Sequence, residues 1–246
     1  MICPSAALVI IGQELLSGKV KDENVSYLTE QLYALGVEVK RVLFVRDDAG
    51  DIVEALRWVV DRHDYVFTTG GMGPTHDDVT IAAVSQALGR PMVHSPSLER
   101  LLESLYNVPA GLERMRLSQI PEGSELYYPE GARFPQLIVG NVFLFPGVPS
   151  IVRKKFSAIA ERFRSEPIYT ERLDLDRSEL EILMPLTAVV EAFADVRIGS
   201  YPQYSEGKES VQLTFDGTQQ ERVQDALKML KKLTVDSRQS TDPVDC

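Results

Sequence analysis

The segment from Thr68 to Thr80 has the residue types and spacing best suited to chemistry. It reads Thr-Thr-Gly-Gly-Met-Gly-Pro-Thr-His-Asp-Asp-Val-Thr and joins a predicted strand to a predicted helix. Glycines let backbone N–H groups approach phosphate oxygens closely, and a helix N-terminus adds unpaired N–H donors and a favourable dipole. The segment therefore predicts a phosphate site whose ligand-binding residues are Thr69, Gly70, Gly71, Gly73, Thr75 and Thr80.

Two carboxylates, Asp77 and Asp78, follow this glycine turn directly. A carboxylate beside a phosphate is favourable when a hard divalent cation bridges the two groups. Adjacent residues of a helix point about 100° apart, so both aspartates are not expected to face one cation equally. We therefore predict Asp78 as a metal ligand and Asp77 as a helix cap or a supporting residue of the same catalytic site. The alternative is that both aspartates only cap the helix and balance its dipole.

Two other loops carry candidate ligands at the ends of predicted strands. The loop after the first strand contains Glu14 and Asp22, and Asp48 follows the second strand. With Asp78, these residues make a predicted set of four metal ligands. A structural interpretation stays open for both loops, because Asp22 or Asn24 can cap a helix and Asp48 can begin one.

The elements that must position these residues alternate along the first part of the chain. Apolar and β-branched runs predict strands at residues 7–11, 37–45 and 65–69, and helical spacing of apolar residues predicts helices at 24–35, 51–62 and 78–88. This alternation predicts an α/β fold, a three-layer α/β/α sandwich in which the three strands are neighbours in a mostly parallel sheet. In such sheets, ligands bind where loops leave the carboxyl ends of the strands.

The pattern changes after Pro167. Before it, residues 94–133 are irregular apart from a helix at 97–106, and strands at 136–139 and 141–145 precede a helix at 150–163. After it, the pattern predicts strands at 168–175, 196–201 and 210–215 and helices at 178–193 and 219–232, the first helix broken at Pro185. We therefore predict two domains, residues 1–165 and a small α+β domain at residues 166–246.

The composition limits the partners of this chain. The net charge is -10 and the lysines and arginines are scattered, so nucleic acid is not expected as a partner. No apolar run approaches the roughly 20 residues needed to cross a membrane, and the first residues lack a signal-peptide pattern. We expect a cytoplasmic protein with no membrane partner. Its acidity would repel an anionic ligand, which is a second reason to expect a bound cation.

Four motifs follow one another along residues 7–165. They are Gly12-Gln13-Glu14-Leu15-Leu16-Ser17-Gly18 with Asp22 and Asn24, Asp47-Asp48, the segment 69–80, and Pro146-Gly147-Val148-Pro149. In this order they resemble the MoaB/MogA-type molybdopterin-binding domain. More narrowly, the double aspartate is typical of the N-terminal domain of CinA-type competence/damage-inducible proteins. The run Phe134-Pro135-Gln136-Leu137 is similar to the corresponding domain of eukaryotic FAD synthases.

The resemblance implies an activity as well as a fold. Relatives of both kinds are implied to hydrolyse the pyrophosphate of ADP-ribose or FAD with a divalent metal (Mg, Mn or Co) and potassium, and Asp78 matches an active-site aspartate. The resemblance adds these ligand-binding residues: Gly12, Glu14, Asn24, Arg116, Pro146 and Gly147. The chain departs from the CinA-type run Asn-x-Lys-Gln-Ala, where it has Arg114-Met115-Arg116-Leu117-Ser118, and has Ile151 where a glutamate is frequent. The resemblance therefore leaves the substrate open.

We predict first a metal-dependent nucleotide pyrophosphatase, a hydrolase acting on FAD or ADP-ribose. The alternatives are a molybdopterin-binding protein of molybdenum cofactor biosynthesis, acting as an adenylyltransferase or carrier, and a non-catalytic binding module. The double aspartate and the additional C-terminal domain favour the first. In each case the partner is a small-molecule nucleotide or pterin ligand, and the resemblance implies a homo-oligomer, a dimer or trimer.

Overall fold

Six strands form the central sheet of residues 2–165 in the computed structural model of the chain. The strands of this unit are β1 (Ser5–Ile11), β2 (Glu38–Val45), β3 (Tyr65–Thr69), β4 (Met92–His94), β5 (Gln119–Pro121), β6 (Glu125–Tyr127), β7 (Gln136–Val139) and β8 (Val142–Phe145). The sheet order is β2-β1-β3-β8-β7-β6, parallel from β2 to β8 and antiparallel from β8 to β6. The prediction that the first three strands are neighbours in a mostly parallel sheet is confirmed.

The structure describes residues 3–106, 116–130, 132, 134–205 and 208–236. The chain divides into two units, residues 2–165 and residues 166–246. None of the helices in the described ranges is long and apolar enough to cross a membrane.

Helices cover both faces of the six-stranded sheet. They are α1 (Gln13–Leu16), α2 (Asn24–Ala34), α3 (Ala49–Val59), α4 (Thr80–Ala87), α5 (Pro96–Tyr106) and α6 (Pro149–Ile159). Successive residues of a strand point to opposite faces. Val9 and Ile11 of β1 therefore pack with apolar residues of α3 and α4, whereas Leu8 and Ile10 pack with those of α2 and α6. One sheet lies between two buried cores, which confirms the three-layer α/β/α sandwich.

The middle of this unit is more regular than its sequence predicts. The strands β4, β5 and β6 lie within or beside residues 94–133, for which the pattern predicts no strand. Each strand has three residues, which is too short to show the two-residue alternation of a half-buried strand. β4 pairs with β5 in a separate antiparallel sheet, so their pairing depends on tertiary structure rather than on local sequence.

Three antiparallel strands and two helices form the unit at residues 166–246. Its elements are β9 (Tyr169–Leu175), α7 (Glu179–Ala192), β10 (Arg197–Ser205), β11 (Lys208–Gly217) and α8 (Gln220–Asp236), with sheet order β10-β11-β9. Val211, Leu213 and Phe215 alternate along β11 and pack in one core with buried residues of both helices. The predicted α+β character of this segment is confirmed.

Pro185 lies inside α7 without ending it. A proline in a helix removes the hydrogen bond that its N–H would make to the preceding turn. The helix is held at its start by a capping box, in which the Ser178 N–H donates to Glu181 Oε2 at 2.8 Å. Ile182 and Val189, one on each side of the proline, are fully buried in the core. The predicted break at Pro185 is therefore wrong, because the cap and the packing outweigh one lost hydrogen bond.

Candidate functional site

Three loops meet at the carboxyl ends of β1, β3 and β8. The Gly70 N–H donates to the Phe145 carbonyl at 3.0 Å, which ties the turn after β3 to the end of β8. Gly147 lies so close to this turn that an added Cβ atom would be 3.4 Å from the Gly70 Cα. The buried Asn24 amide, at the start of α2, donates from Nδ2 to the Gly147 carbonyl at 3.0 Å. The structure thus brings together Asn24, Gly70 and Gly147, three of the predicted ligand-binding residues.

The turn after β3 requires glycine at two successive positions. Gly70 has φ 102° and Gly71 has φ 62°, a region of backbone conformation that other residues rarely adopt. A Cβ atom on Gly70 would collide with the Ile11 carbonyl of β1, and one on Gly71 would collide with the Thr80 hydroxyl. The backbone of the turn therefore packs directly against the Ile11 backbone and the Thr80 side chain.

Thr80 holds this turn from the first residue of α4. Its hydroxyl donates to the Gly70 carbonyl at 2.8 Å, and its N–H donates to the Gly71 carbonyl at 3.1 Å. Thr80 is fully buried, and Thr69, the last residue of β3, is 1% exposed. Thr69 and Thr80, two of the three threonines predicted to contact a ligand, therefore lie inside the protein, whereas Thr75 is exposed.

Asp78 folds back on its own turn. Its Oδ2 atom accepts a hydrogen bond from the Thr75 N–H at 2.8 Å and a second from the Thr75 hydroxyl. The helix α4 begins only at Thr80, and Val79 before it makes no side-chain cap. A supporting role of Asp77 in the site stays a prediction, but the predicted helix start at Asp78 is therefore wrong, and so is Asp77 as its cap. The reason is that an aspartate side chain that satisfies nearby backbone donors stabilises a turn in competition with the helix.

Asp77 is exposed, and its charge is favoured locally. The nearby Thr75 hydroxyl lowers the pKa of Asp77 below the usual range. The backbone N–H of Asp77 and the nearby His76 act in the same direction with smaller effect. His76 Nδ1 lies 4.0 Å from Asp77 Oδ1. Asp77 is therefore a solvent-facing carboxylate that stays ionised below neutral pH.

A cavity of about 130 Å³ opens beside the glycine turn, and we call it the glycine-turn cavity. It is lined by Gly71, Met72, Gly73, Asp78, Ile81, Ala82, Met92, Arg116, Leu117 and Gln119. The structure thus brings the predicted Arg116 to the same cavity as the glycines and Asp78. Met92 and Gln119 were missed, because they come from β4 and β5, which carry no sequence signal. Arg114 lies outside the described residues.

The four carboxylates predicted as metal ligands are not assembled as a set. Asp22 Oδ1 accepts from the Val25 N–H at 2.7 Å, and the Asp48 side chain accepts from the Asp51 N–H at 3.1 Å. Both therefore satisfy N–H groups at helix starts, as the structural interpretation predicts. The Glu14 carboxylate lies against Gly12, where an added Cβ would be 2.7 Å from Glu14 Oε1.

Within the described ranges, no three His, Cys, Asp or Glu side chains are placed to hold a metal ion together. Asp78 is the predicted ligand that lines the glycine-turn cavity. Magnesium is commonly held by one or two carboxylates together with ligand phosphates and several waters. The residues present therefore fit a divalent cation that arrives with a phosphate ligand, and they do not fit a cation caged by protein side chains alone.

Two family profiles match the chain one after the other. The family described as "Probable molybdopterin binding domain" matches residues 7–165, and "FAD synthase, middle domain" matches residues 167–240. A protein from Archaeoglobus fulgidus is 33% identical over 231 residues, which cover 94% of this chain and 98% of that protein. A "Probable FAD synthase" from Caenorhabditis elegans is 27% identical over 257 residues, which cover 93% of this chain and 50% of that protein. The chain thus spans about half the length of this second relative.

Two further comparisons concern the larger unit. A "CinA-like protein" from Myxococcus xanthus is 33% identical over 162 residues, which cover 63% of this chain and 37% of that protein. The crystal structure of CinA, a protein with unknown function from Thermoplasma acidophilum, aligns with a TM-score of 0.60 and 24% identity, over 65% of this chain and 98% of that chain. At this identity the structural alignment shows a shared fold.

Proposed function

The chain belongs to the family described as a probable molybdopterin binding domain, as its motifs predict, and from this premise we propose that the glycine-turn cavity binds a phosphorylated pterin or nucleotide. One observation carries the proposal: the cavity joins the backbone of Gly71 and Gly73 to the Arg116 side chain. Backbone N–H groups and guanidinium groups are strong donors to phosphate oxygens. A binding protein for a pterin or nucleotide, the predicted alternative, therefore comes before the predicted hydrolase.

The charges in the cavity favour a phosphate bound together with a cation. Arg116 supplies one positive charge, and Asp78 opposes it from the turn. A second negative group would be repelled by Asp78 unless a cation lies between them. We therefore propose that Mg, Mn or Co accompanies the phosphate, with Asp78 as its protein ligand. Potassium stays a prediction to which no residue of the cavity is assigned.

The second candidate function is hydrolysis of the pyrophosphate of FAD or ADP-ribose. The similarity of the smaller unit, residues 166–246, to a domain of FAD synthases favours it. The match of that unit to an FAD synthase domain, and the nematode relative that aligns across both units, favour a flavin dinucleotide as the ligand. A divalent cation would neutralise charge on the phosphates and lower the pKa of an attacking water. The glycine turn would hold one phosphate while Arg116 neutralises charge on the departing one. The water would add to one phosphorus and release its protons to solvent as the anhydride bond breaks, so that two monophosphates leave.

Calorimetry tests the binding proposal, with FAD, ADP-ribose and AMP as probes in the presence of magnesium. We expect Arg116→Met to weaken binding of each by about tenfold or more, because one charge-assisted contact to phosphate is lost. Arg57→Met is the matched control, since Arg57 is an exposed arginine of α3 outside the cavity. Equal affinities in the two variants would show that Arg116 does not contact the ligand. Absence of binding by all three probes would overturn the proposal for nucleotides and leave a phosphorylated pterin as the ligand to test.

Chromatography of the products tests the hydrolase, with magnesium, manganese or cobalt and each dinucleotide. We expect Asp78→Asn to abolish metal-dependent hydrolysis while the melting temperature changes little, because asparagine can still accept the hydrogen bonds from Thr75. Asp77→Asn is the matched control and should retain most of the activity, since Asp77 does not line the cavity. Full activity in Asp78→Asn at limiting metal contradicts its role as a ligand. Binding without turnover in the unmodified protein favours the binding protein over the hydrolase.

A further inference from the structure

A second cavity, of about 230 Å³, lies between the start of β7 and α6. Phe134, Gln136, Ile151, Lys154, Lys155 and Ala158 are among its lining residues. It shares no lining residue with the glycine-turn cavity. Gln136 belongs to the run that resembles FAD synthases, and the function proposed above gives that run no role. We call this the α6 cavity.

Gln136 lines the α6 cavity and carries an unsatisfied acceptor. The residue is 1% exposed. Its Nε2 atom donates to the Leu137 carbonyl at 3.1 Å and to the Leu144 carbonyl at 2.6 Å, which fixes the orientation of the amide. Its Oε1 atom is buried and has no hydrogen-bond partner among the residues that the structure describes. Buried polar atoms without partners are rare in folded proteins, so this oxygen calls for a donor that the protein does not supply.

Lys155 brings a positive charge to the α6 cavity. Its Nζ donates to the Pro135 carbonyl at 2.6 Å and to the Phe134 carbonyl at 3.4 Å. An ammonium has three N–H donors, so one remains for a further partner. Within the described part of the chain, no carboxylate lies within ion-pair distance of Lys155. Glu130 and Lys154 are the other charged side chains that line the α6 cavity, and both are exposed.

The remaining walls are mainly apolar. Phe134, Ile151 and Ala158 line the cavity with carbon surface. The volume is below the roughly 300–1,000 Å³ of sites for drug-sized ligands, so it suits a single small ring with short substituents. We propose that the α6 cavity binds a small carboxylic acid with an apolar body and a hydroxyl or N–H donor, the carboxylate on Lys155 and the donor on Gln136 Oε1. This proposal does not depend on the function of the glycine-turn cavity.

Three probes of nearly equal size separate the two polar contacts. The probe 4-(hydroxymethyl)benzoate carries both groups, 4-methylbenzoate lacks the donor, and 4-methylbenzyl alcohol lacks the carboxylate. Ligand-observed NMR titration of the full chain should show that the first binds about tenfold more tightly than either of the others, since each lacks one hydrogen bond or ion pair. Equal affinities for the three probes, or no binding of the first, would overturn the proposal.

Lys155→Met tests which residue receives the carboxylate. We expect it to weaken binding of 4-(hydroxymethyl)benzoate by about tenfold or more, whereas the matched control Lys154→Met should stay within about twofold. Equal losses in the two variants would overturn the assignment to Lys155.

A pH series on the unmodified protein needs no variant and guards against a variant that fails to fold. Burial lowers the pKa of Lys155 to about 8. Affinity for the carboxylate should therefore fall as the pH is raised from about 7 to about 10, because the neutral amine no longer attracts the anion. The alcohol probe should show no such fall. Affinity for the carboxylate that is constant over this range would contradict the proposal.

Discussion

The loop after β1 and the turn after β3 leave the same edge of the sheet, yet they use their polar residues differently. In the loop after β1, Asp22 satisfies a backbone N–H group and Gly18 has open space around it. In the turn after β3, the buried Thr80 holds two successive carbonyls and the glycines pack against backbone. The first loop therefore contains residue types that could bind a ligand. The turn after β3 also has the close backbone packing that fixes its geometry.

The comparison teaches that carboxylates near a sheet edge do not by themselves make a metal site. Asp22 and Asp48 follow strand ends along the chain, as Asp78 does, but each accepts a hydrogen bond from an N–H group at its own helix start. Asp78 also accepts hydrogen bonds locally, and it additionally lines a cavity that contains a cationic side chain. Asp78 therefore differs from Asp22 and Asp48 in its position in the glycine-turn cavity, not in its residue type.

The largest expected effect is that of Gly70→Ala compared with Gly18→Ala. Both glycines have positive φ angles, 102° and 69°, but a Cβ on Gly70 would meet the Ile11 carbonyl while one on Gly18 would meet nothing within 4 Å. We expect a loss of roughly 3 kcal/mol or more in the free energy of unfolding for Gly70→Ala and about 1 kcal/mol for Gly18→Ala. Urea denaturation measures both, and equal losses would show that the two loops are packed alike.

Thr80→Val should have the next largest effect, because it leaves the buried Gly70 carbonyl without its side-chain donor. We expect a loss of about 1–3 kcal/mol in the free energy of unfolding. Ser17→Ala is the matched control from the other loop, since the Ser17 hydroxyl also donates to a carbonyl, that of Glu14, but in an exposed position. It should change stability by less than about 0.5 kcal/mol. A large loss in the control would remove the distinction between the two loops.

Substitution of Asp48 should have the smallest effect. We expect Asp48→Ala to cost about 1 kcal/mol of stability through the lost helix cap, and Asp48→Asn to cost only a few tenths, since asparagine caps as well. Neither change should alter the affinity for FAD or ADP-ribose measured with magnesium. A loss of ligand affinity in Asp48→Asn would show that Asp48 takes part in the metal site, and the contrast drawn here between Asp48 and Asp78 would then be wrong.

The sheet could be predicted closely from the sequence because its strands are buried on both faces. The run at residues 7–11 is continuous and apolar, and it corresponds to β1, which begins two residues earlier. The first residue of each helix was harder to predict, because it depends on which side chain accepts hydrogen bonds from the first N–H groups of that helix. The helix α3 begins at Ala49 rather than at residue 51, since Asp48 caps it, and α4 begins at Thr80 rather than Asp78. Both errors come from aspartates whose hydrogen bonds only the structure reveals.

The candidate site was predictable where it is local in sequence. The glycine turn follows β3 directly, and its spacing alone indicates a close backbone approach. Met92 and Gln119 line the same cavity because β4 pairs with β5, and no local sequence pattern predicts these two short strands. Lys155 follows two other basic residues on α6, so its sequence is typical of a solvated helix face. In the structure its Nζ instead donates to the carbonyls of Phe134 and Pro135, which are distant in sequence.

The pairing of β3 with β8 has a consequence for how the chain is made. Thr69 pairs with Phe145, so one edge of β3 has no partner on the ribosome until β8 has been synthesised. At roughly 5–20 residues per second, the nascent chain spends on the order of several seconds with that edge open. An open strand edge is a template for pairing with another chain. The hydrogen bond from Gly70 to Phe145 and the one from Asn24 to Gly147 also cannot form before β8 and the residues after it have been synthesised. The glycine turn of the nascent domain therefore acquires its final geometry only after β8 has joined the sheet.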